Sequence, residues 1–460
     1  MINLEVPRKF DFLITQAHQV AENVFRPNSR KYDRAEHTYP KELDMLAAVI
    51  DGMNEGGVLG GAGAGTLGAG NGRAPSSAHD RRGSTSDGVA LDDSGGGSDA
   101  GVHDGSANRA AEANARGEHR SSAGLDPEPT GSNRNGSNMA SLLGLIELCW
   151  GDVGLLLTMP RQGLGQAAIA AVANEEQLRR FGGKWAAMAI TEPEAGSDSA
   201  AIRTTAVYDE RSGEYVLNGE KIFVTSGDRA ELIVVWATLD RSKGRAAIKP
   251  FVVERNNPGL ILERLEHKLG IRASDTANFR LENCRVPKGN LLGSPEIDTA
   301  RGFAGAMQTF DNTRPLVAGM AIGVARACLE RTRELLDEAG IQIDYERPPA
   351  LQPAAAAEYL AMEAEWEAAR LLTLRAAWMA DNRKPNSLQA SMAKAKAGRV
   401  GTEIALRCVA LAGSIGYGEG ELLEKWARDV KILDIFEGTQ QIQLLIVARQ
   451  LLGKSSAELR

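Results

Sequence analysis

Arg428-Asp429-Val430-Lys431-Ile432-Leu433-Asp434-Ile435-Phe436-Glu437-Gly438-Thr439-Gln440-Gln441-Ile442-Gln443 reads as helix, reversal, helix. One helix ends near Phe436, and Gly438, having no Cβ, permits the sharp reversal. Thr439 then caps a last helix in which Ile442, Leu445 and Ile446 form an apolar stripe. Glu437 is thereby held on the bend, directly after Ile435 and Phe436. A carboxylate among apolar neighbours has a raised pKa, which suits a general base working near neutral pH. Taken alone, the same residue reads first as an exposed loop glutamate with no task.

Around this stretch, residues 299–455 carry long amphipathic helices, broken near Pro348, Pro349 and Pro353 and at the glycines of Gly413 to Gly420. Phe310-Asp311-Asn312-Thr313-Arg314-Pro315 opens the first of them, where Asp311 is placed to cap it. Residues 187–292 change period. Leu232 to Trp236 and Pro250 to Val253 have the look of buried strands, and Asn218-Gly219 is a turn signal between strand formers. Lys221-Ile222-Phe223-Val224-Thr225 puts Phe223 and Thr225 on one strand face. An aromatic beside a hydroxyl there suits a flat ring, though a plain core Phe reads the same way. Met188 to Asp198 is a turn rich in hydroxyls and backbone donors, or else an ordinary loop.

Further upstream, Phe12, Leu13, Ala17, Val20 and Val24 recur at helical spacing, Pro40 opens a second helix, and 139–181 reads as helix again. Residues 1–51 and 139–186 therefore form a helical amino-terminal domain. Between them, 52–138 holds 21 of the chain's 50 glycines and no Phe, Trp or Tyr, the composition of a disordered insertion. Helices, strands and helices are segregated rather than alternating, so the expected class is α+β, mainly α, and not a doubly wound sheet. No internal repeat is present.

The 460 residues suffice for two or three domains. Four scattered cysteines with no C-x-x-C spacing exclude a disulfide scaffold or zinc knuckle and give no metal site. With 53 Lys+Arg against 60 Asp+Glu the net charge is -7, so no footprint for nucleic acid is expected. The charged start argues against a signal peptide. The longest strongly apolar run is placed near Leu232 to Leu239, too short to span a bilayer. A cytoplasmic location is expected.

Five segments in order resemble the acyl-CoA dehydrogenase family. They are T-E-P-x-A-G-S-D at Thr191 to Asp198, N-G-x-K-x-x-x-T at Asn218 to Thr225, K-x-G-x-R-x-S-x-T at Lys268 to Thr276, D-x-T-R-P at Asp311 to Pro315, and F-E-G-T-x-Q-I-Q at Phe436 to Gln443. The resemblance implies a helical domain, a small central β-barrel-like domain and a carboxy-terminal four-helix bundle. It also implies FAD-dependent α,β-dehydrogenation of an acyl-CoA thioester in lipid or sterol breakdown. Glu437 matches the base that removes the α-proton while hydride passes to flavin N5. The match places Met188, Ile190, Thr191, Ser197, Phe223, Thr225, Thr439 and Gln441 at the flavin. Ser197, Asp311 and Arg314 fall on the substrate side. An electron-transfer flavoprotein is the implied acceptor. An acyl-CoA oxidase, or a largely non-catalytic assembly subunit, would carry much the same motifs.

Two departures from the family pattern stand out. Members that are homotetramers clamp the FAD diphosphate and adenine from a second subunit, with Arg-x-x-Phe-Gly and with a Gln before a Gly-rich turn. Here the first place reads Ile341 to Pro349 without that motif, and Ala410 stands where the Gln is expected. A pyrophosphate needs cations or several N–H donors. The chain therefore resembles actinobacterial members that pair with a homologous subunit, and a heterotetramer is expected.

Overall fold

The computed structural model describes residues 6–47, 135–160, 164–297, 304–454 and 458, with the backbone alone over 304–312. The Gly-rich stretch 52–138 thus lies outside the described residues except for its last four, 135–138, of which Ser137 already begins a helix.

The amino-terminal helices are α1 (Asp11–Val20) and α2 (Arg26–Arg34), joined without a break by a π-helical segment, Ala21–Phe25. Phe10, Ala21, Phe25 and Tyr32 are buried, whereas Phe12, expected on the apolar stripe, is 56% exposed. The π turn adds a residue to the helical repeat and so rotates the face that reaches the core. After it come α3 (Ser137–Thr158), α4 (Gly165–Val172) and α5 (Glu175–Phe181).

Helix α3 corrects the sequence reading of apolar runs. Its 22 residues include an 18-residue window of mean hydropathy 1.6, longer than Leu232 to Leu239, and 78% of that window is buried inside the protein. It is long and apolar enough to cross a membrane, and it is also the central helix of the core. Asp152 breaks it, at φ -168° and ψ 116°, and its Oδ1 accepts the Leu155 N–H at 2.8 Å, capping the second half.

The seven strands are β1 (Ala186–Ala189), β2 (Thr205–Asp209), β3 (Glu214–Thr225), β4 (Leu232–Thr238), β5 (Ile248–Glu254), β6 (Leu260–Leu265) and β7 (Thr276–Pro287). They pair in the order β1-β4-β2-β3-β7-β6, with β5 added to β4, and the sheet curls into a half-barrel. All of β4 is buried because both its faces are covered. Ile233, Val235 and Ala237 face the interior of the sheet with Phe251 and Phe279. Leu232, Val234 and Trp236 meet Ala168 and Ile169 of α4 and Phe181 of α5 on the other face.

The Asn218-Gly219 pair is not a turn. Both residues lie inside β3, and the register against β7 slips between Leu217 and Gly219. Gly219 is needed there because a Cβ would sit 2.4 Å from Thr204 Oγ1. The β2–β3 hairpin turns instead at Gly213, φ 73°. An Asn-Gly pair signals positive φ, and a bulge demands that as much as a hairpin does.

The carboxy-terminal helices are α6 (Ala304–Glu338), α7 (Ala354–Asp381), α8 (Ser387–Tyr417), α9 (Leu423–Val430) and α10 (Gln440–Leu452). Asp311 does not cap α6, since it lies well inside the helix. One core runs through α3, α6, α7, α8 and α9 and takes in Ile271 and Ala273 from the β6–β7 connection. That connection seats the sheet against α9. A Cβ on Gly270 would fall 2.4 Å from the carbonyl carbon and oxygen of Arg428, backbone that has nowhere to go. Gly270→Ala should therefore lower stability by about 1–3 kcal/mol, the usual size of overpacking. Thermal unfolding reads it, and an unchanged melting temperature would mean that the two segments are not in contact.

Candidate active site

Glu437 stands at φ 54° and Gly438 at φ 91°, two consecutive left-handed residues between a 3-10 turn (Lys431–Asp434) and α10. Such a conformation costs a non-glycine residue about 1–2 kcal/mol and persists only where neighbours hold it. Several do. Gln443, wholly buried, donates from Nε2 to the Glu437 carbonyl at 3.1 Å and to the Gly438 carbonyl at 3.3 Å. Lys394 Nζ on α8 donates to the Gly438 carbonyl at 2.7 Å. Thr439 Oγ1 accepts the Ile442 N–H at 3.3 Å, the cap read from the sequence.

The Glu437 side chain faces α6 and α8. It is hydrogen-bonded to the Thr313 hydroxyl, while its Oε2 is closed to solvent and has no partner. Burial raises its pKa above the usual glutamate value of 4.5. The Thr313 hydrogen bond, then the Lys394 and Arg314 cations, pull the other way without cancelling that rise. Arg314 is itself buried, with Nη1 at 3.5 Å from Ser391 Oγ. An unpartnered carboxylate oxygen keeps its lone pairs free to accept a proton.

The second group of expected site residues sits on the sheet. Ile222 N–H donates to the Thr191 carbonyl at 2.9 Å, which brings the 188–191 segment beside β3. Beneath them Lys221, fully buried, reaches the Ile190 carbonyl at 3.1 Å and Glu192 Oε1 at 2.7 Å. Glu192 also accepts the N–H groups of Arg203 and Thr204 at 2.5 and 3.0 Å. Burial presses the Lys221 ammonium down to about 8, against the opposing pull of Glu192. Met188, Ile190, Thr191 and Thr225 are half-buried, and Ser197 is exposed.

Phe223 departs from the expected pattern. It has φ 57° and sits where the β3–β7 register slips between Lys221 and Val224, so the alternation that would align it with Thr225 is broken. Its ring is 60% exposed rather than in the core. Ser226, one residue past Thr225, has φ 59° and a buried hydroxyl without a partner.

The two groups are linked through the β6–β7 connection. Ser226 N–H donates to the Asp275 carbonyl at 3.1 Å, and Ile271 N–H to Asp429 Oδ1 on α9 at 2.5 Å, eight residues before Glu437. On α10, Thr439 is half-buried and Gln441 exposed. Asp311 has backbone only, so its expected place on the substrate side lies outside the described side chains. Elsewhere, Glu36, His37 and His267 offer ligand atoms within 4.8 Å of one another, but Glu36 already accepts from His267 and from the Lys268 N–H.

Sequence reasoning passed over Lys394, Thr313, Gln443 and the Lys221–Glu192 pair. A signal existed for Lys394, which shares a helix face with Ala390, Ala397 and Gly401. A lysine on a stripe of small residues is a lysine bound for the interior.

Residues 187–284 match the family description "Acyl-CoA dehydrogenase, middle domain", and 300–452 match "Acyl-CoA dehydrogenase, C-terminal domain". An acyl-CoA dehydrogenase of Bacillus subtilis is 36% identical over 307 residues, 65% of this chain and 78% of the relative. The mouse mitochondrial short-chain specific acyl-CoA dehydrogenase is 39% identical over 271 residues, 59% of this chain and 64% of the relative. Among solved structures, a glutaryl-CoA dehydrogenase from Mycobacterium smegmatis in complex with FADH2 has the same fold. Its TM-score is 0.70 at 21% identity, covering 98% of this chain and 96% of that one.

Proposed function

The chain belongs to the acyl-CoA dehydrogenase family, and from that premise we propose that it desaturates an acyl-CoA thioester between its α and β carbons, with Glu437 as the base. The observation that carries this is the Glu437 carboxylate, held on a strained turn with Oε2 shielded and unpartnered. Its pKa, raised by burial, makes the ionised carboxylate a stronger proton acceptor than an ordinary glutamate.

Members of the family are FAD-dependent. The residues on the sheet suit a flavin: an exposed aromatic face at Phe223, the half-buried Thr191 and Thr225, and the buried Ser226 hydroxyl without a partner. Met188, Ile190 and Ser197 would complete that wall, with Thr439 and Gln441 contributing from α10. Bound FAD supplies an acceptor at N5 for the hydride from the β carbon. Glu437 takes the α-proton, and the two carbons are left doubly bonded. The Glu437 backbone amide polarises the thioester carbonyl as an oxyanion-type donor, and Arg314, buried beside Glu437, faces the thioester side. Anaerobic mixing with a series of saturated acyl-CoAs should bleach the flavin and release the enoyl-CoA. Failure with straight, branched and steroid side-chain thioesters alike would end this reading.

Lys221 supports the same wall from beneath. Lys221→Met removes donors to the Ile190 carbonyl and to Glu192, each worth about 1.5–3 kcal/mol where a charge is involved. FAD retention on dialysis should weaken by about tenfold or more, and unchanged retention would show that the 190–192 segment needs no such tie.

A heteromer with a homologous subunit, working in lipid or sterol breakdown, accounts for the absent Arg-x-x-Phe-Gly motif and for Ala410. It also gives cover to exposed Leu406, Ile415 and Tyr417 on α8 and Leu444, Leu451 and Leu452 on α10. Co-expression with a homologue carrying that motif should give fewer FAD than chains. A stable homotetramer of this chain with one FAD per subunit rules it out. Rapid reoxidation by an electron-transfer flavoprotein but not by air separates a dehydrogenase from an oxidase.

A further inference from the structure

We propose that Lys394 is a positioning residue for the Glu437 base, its ammonium pinning the Gly438 carbonyl and thereby locking the turn that aims the carboxylate. The kinetic half of this rests on the reading of Glu437 as the base, whereas the structural half stands without it.

Lys394 lies on α8 with 1% of its surface exposed, among Ala390, Ala393, Ala397 and Gly398. Taking an ammonium out of water costs several kcal/mol, so a buried lysine needs a reason to be there. Pairing with a carboxylate is not the reason: no carboxylate among the described residues lies within ion-pair distance of it. Asp434, which faces it from the 3-10 turn, is paired at 3.0 Å with Lys431. What Lys394 touches is a backbone carbonyl, at 2.7 Å, in the reversal itself.

That carbonyl belongs to the second of the two left-handed residues. Rotating the peptide after Gly438 would relax the turn, and it would also swing the carbonyl away from Nζ. The Lys394 bond therefore opposes the motion that would release the Glu437 backbone. Gln443 holds the same two carbonyls from α10, so the reversal is gripped from two helices. A Cβ at position 438 would fall 2.4 Å from Gln443 Nε2, so a side chain there would displace the amide that makes this grip.

The charge adds to the geometry. The groups facing Glu437 are Thr313 and Arg314 from α6 and Lys394 from α8, and those facing Lys394 are Asp434, Glu437 and Arg314. Burial lowers the Lys394 ammonium to about 8, so it is charged at pH values below that. Removing it takes away one of the two cations that favour the carboxylate.

The test is Lys394→Met, which keeps the stem and removes donor and charge, compared with Lys394→Arg, which keeps both. Hydrogen exchange of the holoenzyme, followed by mass spectrometry, should be at least about tenfold faster in the peptide spanning 436–443 of the Met variant. The acid limb of flavin bleaching by acyl-CoA should move up by about one pH unit, with FAD still bound and the Arg variant closer to wild type. A Met variant with wild-type exchange in 436–443 overturns the proposal. Faster exchange together with bleaching that Glu437→Gln leaves untouched keeps the anchor and discards the base. Should the Met variant not accumulate folded, Lys394→Gln is measured for the same exchange, with the same two outcomes.

Discussion

Glu437→Gln is expected to slow flavin bleaching by acyl-CoA by about 10²–10⁴-fold, the range a positioned general base contributes, with FAD content unchanged. The substitution keeps the volume and the backbone, and an amide has no proton-accepting capacity of use here. Because Oε2 has no partner in the fold, no structural bond is lost with it. The linkage sign sharpens the test. Burial places the folded-state pKa of Glu437 above 4.5, so the ionised form is disfavoured by folding, and the penalty develops as pH rises from the unfolded value through the folded one. Removing the carboxylate relieves that penalty at pH 7, and the variant should melt no lower than wild type. In the wild-type enzyme the rate should climb with pH through a midpoint above 4.5. Stopped-flow bleaching and a melting curve on the same preparations decide it. Retention of more than about a tenth of the rate sinks the assignment, and a large fall in melting temperature would make Glu437 a structural residue instead.

The parts of the fold and site read correctly from the chain are those written in local chemistry. Gly438 and the Thr439 cap needed only the absence of a Cβ and a hydroxyl three residues before an amide. Leu232 to Trp236 announced a strand covered on both faces. The misreadings arose where a distant segment settles the conformation. Asn218-Gly219 has the composition of a hairpin, but Thr204 pressing on Gly219 makes it a bulge within one strand. Phe223 lost its strand phase to a second bulge against β7. Asp311 looked like a cap because its segment was read as the opening of a helix, yet α6 begins earlier and absorbs Pro315. Lys221 and Glu192 were quoted as letters of two motifs 29 residues apart, and only their 2.7 Å contact reveals one device. The motifs are thus a mixture of residues that face the site and residues that hold it.

Lys425→Met is expected to destabilise the chain by about 3–5 kcal/mol, the cost of removing one partner from a buried charge network. Lys425 Nζ lies 2.7 Å from Asp152 Oδ2 and 2.5 Å from Asp429 Oδ2, all three groups being buried. Burial works against its charge, but the two carboxylates outweigh that and hold it protonated. Each carboxylate is also tied elsewhere: Asp152 to Ser29 and to the Leu155 N–H, Asp429 to the Ile271 N–H. The network therefore joins α2, the break in α3, the β6–β7 connection and α9. Methionine fills the same space and leaves two buried carboxylates facing each other. A domain stable by about 5–15 kcal/mol loses a large share of its margin in this way. Urea unfolding reads the loss, and Lys425→Met combined with Asp152→Asn and Asp429→Asn should recover part of it, because the charges left without a counterion are then gone. A loss below about 1 kcal/mol would mean the site is wetter than its burial implies. Since Asp429 and Lys425 lie on the helix that runs into the Glu437 turn, a folded Met variant should also bleach more slowly. The ions that steady the chain and the carboxylate that works are then carried on one continuous stretch, eight residues from Asp429 to Glu437.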